Sequence, residues 1–277
     1  MTAVLERRTM RKGPLQRYLA GRAARAASAG ARSPRFMEPG GHTAYGGIVR
    51  YRLGKLAKRG LIRGAWLDCG CAQGYYADAL AEHGADSVVG VEPIEALVRE
   101  AQAREHPSSV RFMTARAEAL PFPEAAFDGV LLNEVLEHVE DEAVTLSEVR
   151  HVLRAGGHLA LFSPNRWFPI EGHGLRLDDR RSFGHPVPLM PWLPGRLTRR
   201  VATARNYWPG ELRALIIDAG FEVVEQGWAL PQFELYQWLP EAAIRRFRAA
   251  IPRLERSRLA PLLAVSTYVL ARKPEHG

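Results

Sequence analysis

The chain contains little cysteine. Only Cys69 and Cys71 occur in 277 residues, and both lie in the stretch WLDCGCAQG at 66–74. A separation of two residues strains a disulfide, and free thiols are typical of a reducing compartment, so we predict a cytoplasmic protein. No C-x-x-C or H-x-x-x-H pattern supplies the further ligands that a zinc ion needs, which argues against a metal site.

Long apolar runs are also missing. The longest nearly uncharged stretch, LAPLLAVSTYVLA at 259–271, has 13 residues, whereas a helix that crosses a bilayer needs about 20. No apolar segment follows the arginines near the N-terminus, so no secretory signal is predicted. With 47% hydrophobic residues, the chain can nevertheless bury a full core.

The N-terminal part is short of acidic residues. Residues 1–60 contain 14 Lys and Arg against two acids, a net charge of +12, while the other 217 residues carry −4. We therefore predict a basic, mobile arm over 1–35 and a folded domain over 36–277. This arm is either a solvated tail or a contact to a peripheral membrane or polyanion. No recognition motif accompanies the charge, so specific nucleic-acid binding is not expected.

Strand-like and helix-like segments alternate along the rest of the chain. Apolar runs typical of strands occupy 65–69, 87–93, 110–115, 127–133, 158–165, 221–230 and 266–274. Helical periodicity is found at 48–61, 75–84, 94–106, 140–157 and 210–220. This alternation predicts an α/β fold with a doubly wound, mostly parallel, Rossmann-like sheet of seven strands and helices on both faces. Ligands bind such sheets at the carboxyl ends of strands, where WLDCGCAQG is expected to lie.

The glycine spacing of this loop argues against two kinds of nucleotide site. A dinucleotide fingerprint requires G-x-G-x-x-G, whereas the loop has only Gly70 and Gly74. A phosphate-binding P-loop requires Lys and Ser or Thr after its last glycine, and Tyr75-Tyr76 stands there instead. What remains is a ligand without phosphates.

The loop resembles motif I of class I S-adenosylmethionine-dependent methyltransferases, with alanine at the middle glycine. Later segments resemble further elements of that family in the same order: VVGVE, ARAEALPFPEAAFDGVLLNEVLEHVED, HVLRAGGHLALFSPN, AGFEVVE and YVLARKP. The resemblance implies methyl transfer from S-adenosylmethionine to a small-molecule, glycan or lipid-linked acceptor of secondary metabolism, most readily at oxygen. A carbon or nitrogen acceptor, and a binding protein without turnover, stay open as alternatives.

The resemblance also implies which residues contact the cofactor. Gly70 and Gly74 would let the backbone approach it closely. Asp68 would anchor the turn and the amino group, and Glu92 would accept from the ribose hydroxyls. The full implied set is Asp68, Gly70, Cys71, Gly74, Glu92, Ala117 and Asn133, with Ala117 beside the adenine and Asn133 near the methyl group.

One position departs from the family pattern. Arg116 stands where many members have an acid that accepts from the adenine amino group. A guanidinium cannot accept a hydrogen bond, so that contact is either absent or moved to Glu118. Upstream of the loop, Arg50 or Arg52 is implied as a partner for the cofactor carboxylate, or as a solvated surface residue.

His138 is the candidate catalytic residue, because several methyltransferases of this fold that act on oxygen have a histidine base there. A neutral imidazole suits proton removal near pH 7. A packing or capping role for His138 stays open as well. The insertion at 166–207 is expected to form a substrate lid, since long connections in compact domains are usually functional. Its candidate substrate-contacting residues are Trp167, His173, His185 and Trp192.

Overall fold

A computed structural model describes residues 46–171, 175–176, 182–183, 187–194, 204–233 and 240–275. The predicted arm at 1–35 and the lid candidates His173 and His185 lie outside these ranges. The helices are α1 (Gly46–Ala57), α2 (Tyr75–Glu82), α3 (Glu95–Gln102), α4 (Glu142–Val152), α5 (Pro209–Asp218), α6 (Glu241–Leu254) and α7 (Ala260–Leu263). None of the helices within these ranges is long and apolar enough to cross a bilayer.

Seven strands form one sheet: β1 (Ala65–Cys69), β2 (Ser87–Glu92), β3 (Val110–Thr114), β4 (Phe127–Asn133), β5 (Leu153–Pro164), β10 (Glu222–Ala229) and β11 (Ser266–Arg272). Their order in the sheet is β10-β11-β5-β4-β1-β2-β3. The strands β1 to β5 pair in parallel, and β11 pairs antiparallel with both of its neighbours. The predicted doubly wound, mostly parallel sheet is confirmed.

Helices cover both faces of this sheet because alternate strand residues point to opposite sides. In β1, Trp66 packs in a cluster with apolar residues of α1, α2 and α3, such as Leu53 and Leu80. The next residue, Leu67, packs in a second cluster with residues of α4 and α5, such as Leu146 and Ile216. The near-continuous apolar runs seen in the sequence are thus strands buried on two faces.

The helix predicted at 140–157 is wrong at its C-terminal end. It ends at Val152, and Leu153 already pairs with Phe127 of β4. Gly156 adopts a φ of +74°, outside the helical range, and its N–H donates to the Lys273 carbonyl at 2.9 Å. Contacts with neighbouring segments therefore replace helical hydrogen bonds at Leu153 and Gly156, so the helix does not extend into 153–157.

The insertion contains short antiparallel pairs. Its strands are β6 (Ile170–Glu171), β7 (Leu175–Arg176), β8 (Ser182–Phe183) and β9 (Val187–Pro188), with a 3₁₀ turn at Met190–Trp192. The strand β6 pairs with β9, and β7 pairs with β8. These pairs were not predicted from the sequence, since two-residue strands have too little periodicity to detect.

Candidate functional site

The loop after β1 turns sharply at its two glycines. Gly70 and Gly74 have φ values of +86° and +85°, which side chains with a Cβ rarely adopt. A Cβ on Gly70 would lie 2.3 Å from Cγ2 of Val135, and one on Gly74 would lie 2.5 Å from Cζ of Phe112. Both glycines are therefore required by backbone conformation and by the protein's own packing, in addition to any approach of a ligand.

Two carboxylates lie buried at this loop. Asp68, at the penultimate position of β1, is 1% exposed, and Glu92 ends β2 at 7% exposure. Glu92 accepts from the N–H groups of Ala72 at 3.3 Å and Ile94 at 3.1 Å. Asp68 accepts from the Ala77 N–H, but no described group donates to its Oδ2. Burial raises the pKa of both carboxyls, that of Asp68 to about 7.

The two cysteines are buried in the same region. Burial raises the pKa of each thiol, and the Asp68 carboxylate raises both further. Because the thiolate is the reactive form, neither side chain is prepared for redox or nucleophilic chemistry. Their role in the loop is that of small apolar residues, in line with the cofactor interpretation of WLDCGCAQG.

The unusual ionisation of Asp68 leads to a prediction about stability. Its pKa in the folded protein exceeds the value of 3.8 for a free side chain. Because the folded protein binds this proton more tightly than the unfolded chain does, the group adds to the free energy of unfolding below about pH 4. This contribution is lost as pH rises through about 7. We expect Asp68→Asn to gain stability relative to the wild type as pH rises, by up to roughly 4 kcal/mol at pH 8.

Urea unfolding between about pH 5 and 8 measures this difference. Asp218→Asn, at an exposed position at the end of α5, is the matched control for the change from Asp to Asn. If the Asp68→Asn and wild-type curves stay parallel over this range, the buried carboxyl does not titrate as stated.

Polar groups meet where β4 ends. The buried Arg52 of α1 donates from Nη1 to Asn133 Oδ1 at 2.6 Å. Its Nη2 donates to Glu134 Oε1 and to Ser266 Oγ, both at 2.8 Å. Ser266, which begins β11, donates in turn to Glu134 Oε1 at 2.5 Å. Of the two arginines considered from sequence, Arg52 thus faces the carboxyl edge of the sheet and Arg50 is exposed.

His138 lies in the turn that follows this cluster. Its N–H donates to the Val135 carbonyl at 2.9 Å, and its side chain is 28% exposed. Glu137, fully buried, accepts from Ser163 Oγ at 3.2 Å and lies 3.9 Å from His138 Nε2. Burial, and then the charge of Glu134, raises the pKa of Glu137. The imidazole is therefore partly exposed and lies close to a buried acid.

In the segment expected near the adenine, Arg116 is paired with acidic side chains. Arg116 Nη2 lies 3.2 Å from Glu118 Oε1 and 3.4 Å from Glu140 Oε2. Glu118 Oε1 also accepts from the Glu140 N–H at 2.8 Å. Ala117 between them is buried. The carboxylate considered as a substitute acceptor therefore already has two partners, one of them the arginine itself.

Two of the four lid candidates lie together. Nε1 of Trp192 donates to the Trp167 carbonyl at 3.2 Å, and the Trp167 ring packs edge-on against Trp208 at 4.8 Å. Trp167 is 44% and Trp192 45% exposed. Their contact with a substrate stays a prediction.

The predicted cofactor residues gather at one edge of the sheet, while Glu134, Glu137 and Ser266 were not singled out from the sequence. Glu134 and Glu137 stand three residues apart in the apolar segment LNEVLEHV, which is a signal that could have found them. Ser266 has no such signal, because only folding brings it to Arg52.

Comparison with known proteins gives consistent results. A family model described as a methyltransferase domain matches residues 67–161. A probable S-adenosylmethionine-dependent methyltransferase of Mycolicibacterium smegmatis is 34% identical over 157 residues, 57% of this chain and 51% of that protein. A ubiquinone biosynthesis O-methyltransferase of Psychrobacter arcticus is 32% identical over 178 residues, 60% of this chain and 62% of that protein. The chain spans about half the length of the first of these relatives.

Solved structures share the fold. The crystal structure of an S-adenosylmethionine-dependent methyltransferase from Mesorhizobium loti matches with a TM-score of 0.56 and 20% identity, over 83% of this chain and 98% of that one. The ordered motifs, the seven-stranded sheet and the family match agree with one another. Residues 67–161 therefore match a methyltransferase domain, and together with the fold this supports membership of the class I methyltransferases that depend on S-adenosylmethionine.

Proposed function

We propose that the protein transfers a methyl group from S-adenosylmethionine to an oxygen atom of a small-molecule, glycan or lipid-linked acceptor. The observation that carries the proposal is the pair of buried carboxylates, Asp68 and Glu92, at the glycine turn. A buried carboxylate oxygen without a donor is costly unless a ligand supplies one. A ligand with an ammonium group and neighbouring ribose hydroxyls fits that requirement.

Asp68 and Glu92 would hold the cofactor from two sides of the loop. Glu92 keeps acceptor capacity beyond its bonds to Ala72 and Ile94, because a carboxylate can accept about four hydrogen bonds. Asp68 Oδ2 has its full capacity left among the described residues. S-adenosylmethionine supplies a methyl group on a sulfonium, so the chain's own residues mainly position the acceptor.

His138 would remove the proton of a hydroxyl acceptor. Its partial exposure at the carboxyl edge, next to the end of β4, supports this role. Trp167 and Trp192 would contact the acceptor from the lid, together with His173 and His185. Oxygen as the acceptor atom is supported by the relative from Psychrobacter arcticus, which is named as an O-methyltransferase.

The experiment is a screen of metabolite extracts with S-adenosylmethionine labelled at the methyl group. A labelled product that forms with the wild type but not with Glu92→Ala would identify the acceptor and its methylated atom. A product labelled at carbon or nitrogen would contradict the oxygen assignment. Cofactor binding with no product from any extract would favour a binding protein without turnover.

A further inference from the structure

The C-terminal end of α6, the connection that follows it and α7 expose basic and apolar side chains within ten residues of one another. Arg253, Arg256 and Arg258 are exposed. Leu259 and Leu262 leave 59% and 41% of their surface accessible. The Leu262 N–H donates to the Leu259 carbonyl at 3.0 Å, so both leucines lie on one turn. We call these five residues the basic-leucine surface.

The acids of this segment do not neutralise its arginines. Residues 240–263 contain six arginines and two glutamates. Glu255 accepts from Lys55 Nζ at 2.6 Å and therefore faces α1, while Glu241 lies 3.3 Å from Arg245 Nη1. The three arginines of the basic-leucine surface thus give it a strong positive charge beside exposed leucines.

One buried side chain joins this surface to the lid. Nδ2 of Asn165 donates to the carbonyls of Pro261 at 2.6 Å and Ala264 at 2.8 Å, and its Oδ1 accepts from the Trp167 N–H at 3.1 Å. The exposed tryptophans of the lid, Trp167 and Trp192, therefore stand next to the turn that carries the exposed leucines. Tryptophan is enriched where proteins meet the headgroup region of a bilayer.

The basic-leucine surface and the lid tryptophans lie at the carboxyl edge of the sheet. Asn165 directly follows β5, which runs parallel to β4 and, through it, to β1. The glycine turn and the Arg52 cluster occupy the same edge. A ligand held at the basic-leucine surface and the lid would consequently be on the side of the sheet where the cofactor loop lies.

We propose that the basic-leucine surface and the lid tryptophans dock on an anionic lipid bilayer. Arginines next to apolar side chains match negatively charged headgroups above an acyl region. A second copy of the chain is a poorer occupant, because a symmetric contact would set the arginines against one another. If the proposed methyl transfer holds, and only then, this docking favours a lipid-linked acceptor, since the bilayer would present it at the cofactor edge.

Sedimentation of the full-length protein with vesicles tests the docking without any acceptor. The probes are vesicles of phosphatidylcholine alone and of phosphatidylcholine with about 30% phosphatidylglycerol. We expect binding to the anionic vesicles only. Arg253→Gln/Arg256→Gln/Arg258→Gln should weaken it on the order of 100-fold, at about 1 kcal/mol per arginine, and Leu259→Ser/Leu262→Ser by roughly tenfold. Ile217→Ser, at a half-exposed apolar position on α5, is the control and should bind normally.

Three results would overturn the proposal. The first is a wild-type protein that binds neither vesicle. The second is undiminished vesicle binding by both the triple arginine variant and the double leucine variant. That result would assign the binding to the basic residues at 1–35 alone. The third is a wild-type dimer in analytical ultracentrifugation that Leu259→Ser/Leu262→Ser dissociates, which would make the surface a contact between copies. A failed search for methyl transfer leaves these measurements unaffected, so the two proposals fail separately.

Discussion

Glu92→Ala is expected to weaken the binding of S-adenosylmethionine and S-adenosylhomocysteine by about 10²–10⁴-fold. The carboxylate would accept from two ribose hydroxyls, and each hydrogen bond to a charged group contributes about 1.5–3 kcal/mol. Because both ligands carry the same ribose, both should lose affinity equally. Isothermal titration calorimetry on the purified protein measures the two dissociation constants directly.

The substitution also removes the bonds from Glu92 to Ala72 and Ile94, so loop folding must be separated from ligand contact. Glu92→Gln keeps one acceptor oxygen and the side-chain shape while it removes the charge. It keeps the bond to only one of the two N–H groups, so its melting temperature should fall less than that of Glu92→Ala while affinity is lost in both. Glu95→Gln, an exposed acid on the neighbouring helix, is the matched control and should bind like the wild type.

Gly70→Val tests the same site without touching a charge. A valine at this position would have to adopt a φ of +86°, which residues with a Cβ rarely do. Its Cβ would also lie 2.3 Å from the Val135 side chain. The loop must therefore move, and affinity should fall together with thermal stability. Undiminished affinity in both Glu92→Ala and Gly70→Val would sink the cofactor assignment at this loop.

The fold was predictable because its signals are local. Each strand of the main sheet is a short apolar run, and β1 and β4 have the predicted bounds. The bounds of β5 were missed because Leu153–Gly157 have no apolar run of their own. Leu153 pairs with Phe127 of β4 and the Gly156 N–H donates to the Lys273 carbonyl, so tertiary contacts override local propensity there.

The candidate site was predictable only in part, because some of its residues meet only in the folded protein. Asp68, Gly70 and Gly74 lie within seven residues, and Glu92 ends the next strand, so a single motif and its spacing identify them. Arg52 and Ser266 are 214 residues apart in sequence and meet at Glu134 only through the order of the strands. Contacts of that kind have no signature in a single sequence.

His138→Ala is expected to lower kcat by about 10²–10⁴-fold, the usual contribution of a general base. Affinity for S-adenosylmethionine should stay nearly intact, because the substitution leaves the buried carboxylates Asp68 and Glu92 unchanged. The wild-type rate should rise with pH as the imidazole loses its proton, and this rise should be absent in the variant. Steady-state kinetics with the acceptor identified by the extract screen measure both effects.

His151→Ala is the matched control, because this histidine is exposed on α4 and lies outside the site. It should leave kcat and its pH profile unchanged. A general base must take up a proton, which the glutamine amide cannot do although it fills similar space. His138→Gln should therefore be as slow as His138→Ala. A His138→Ala enzyme with a near wild-type rate would instead point to an acceptor that needs no proton removed before methyl transfer, which is the case for many carbon and nitrogen nucleophiles.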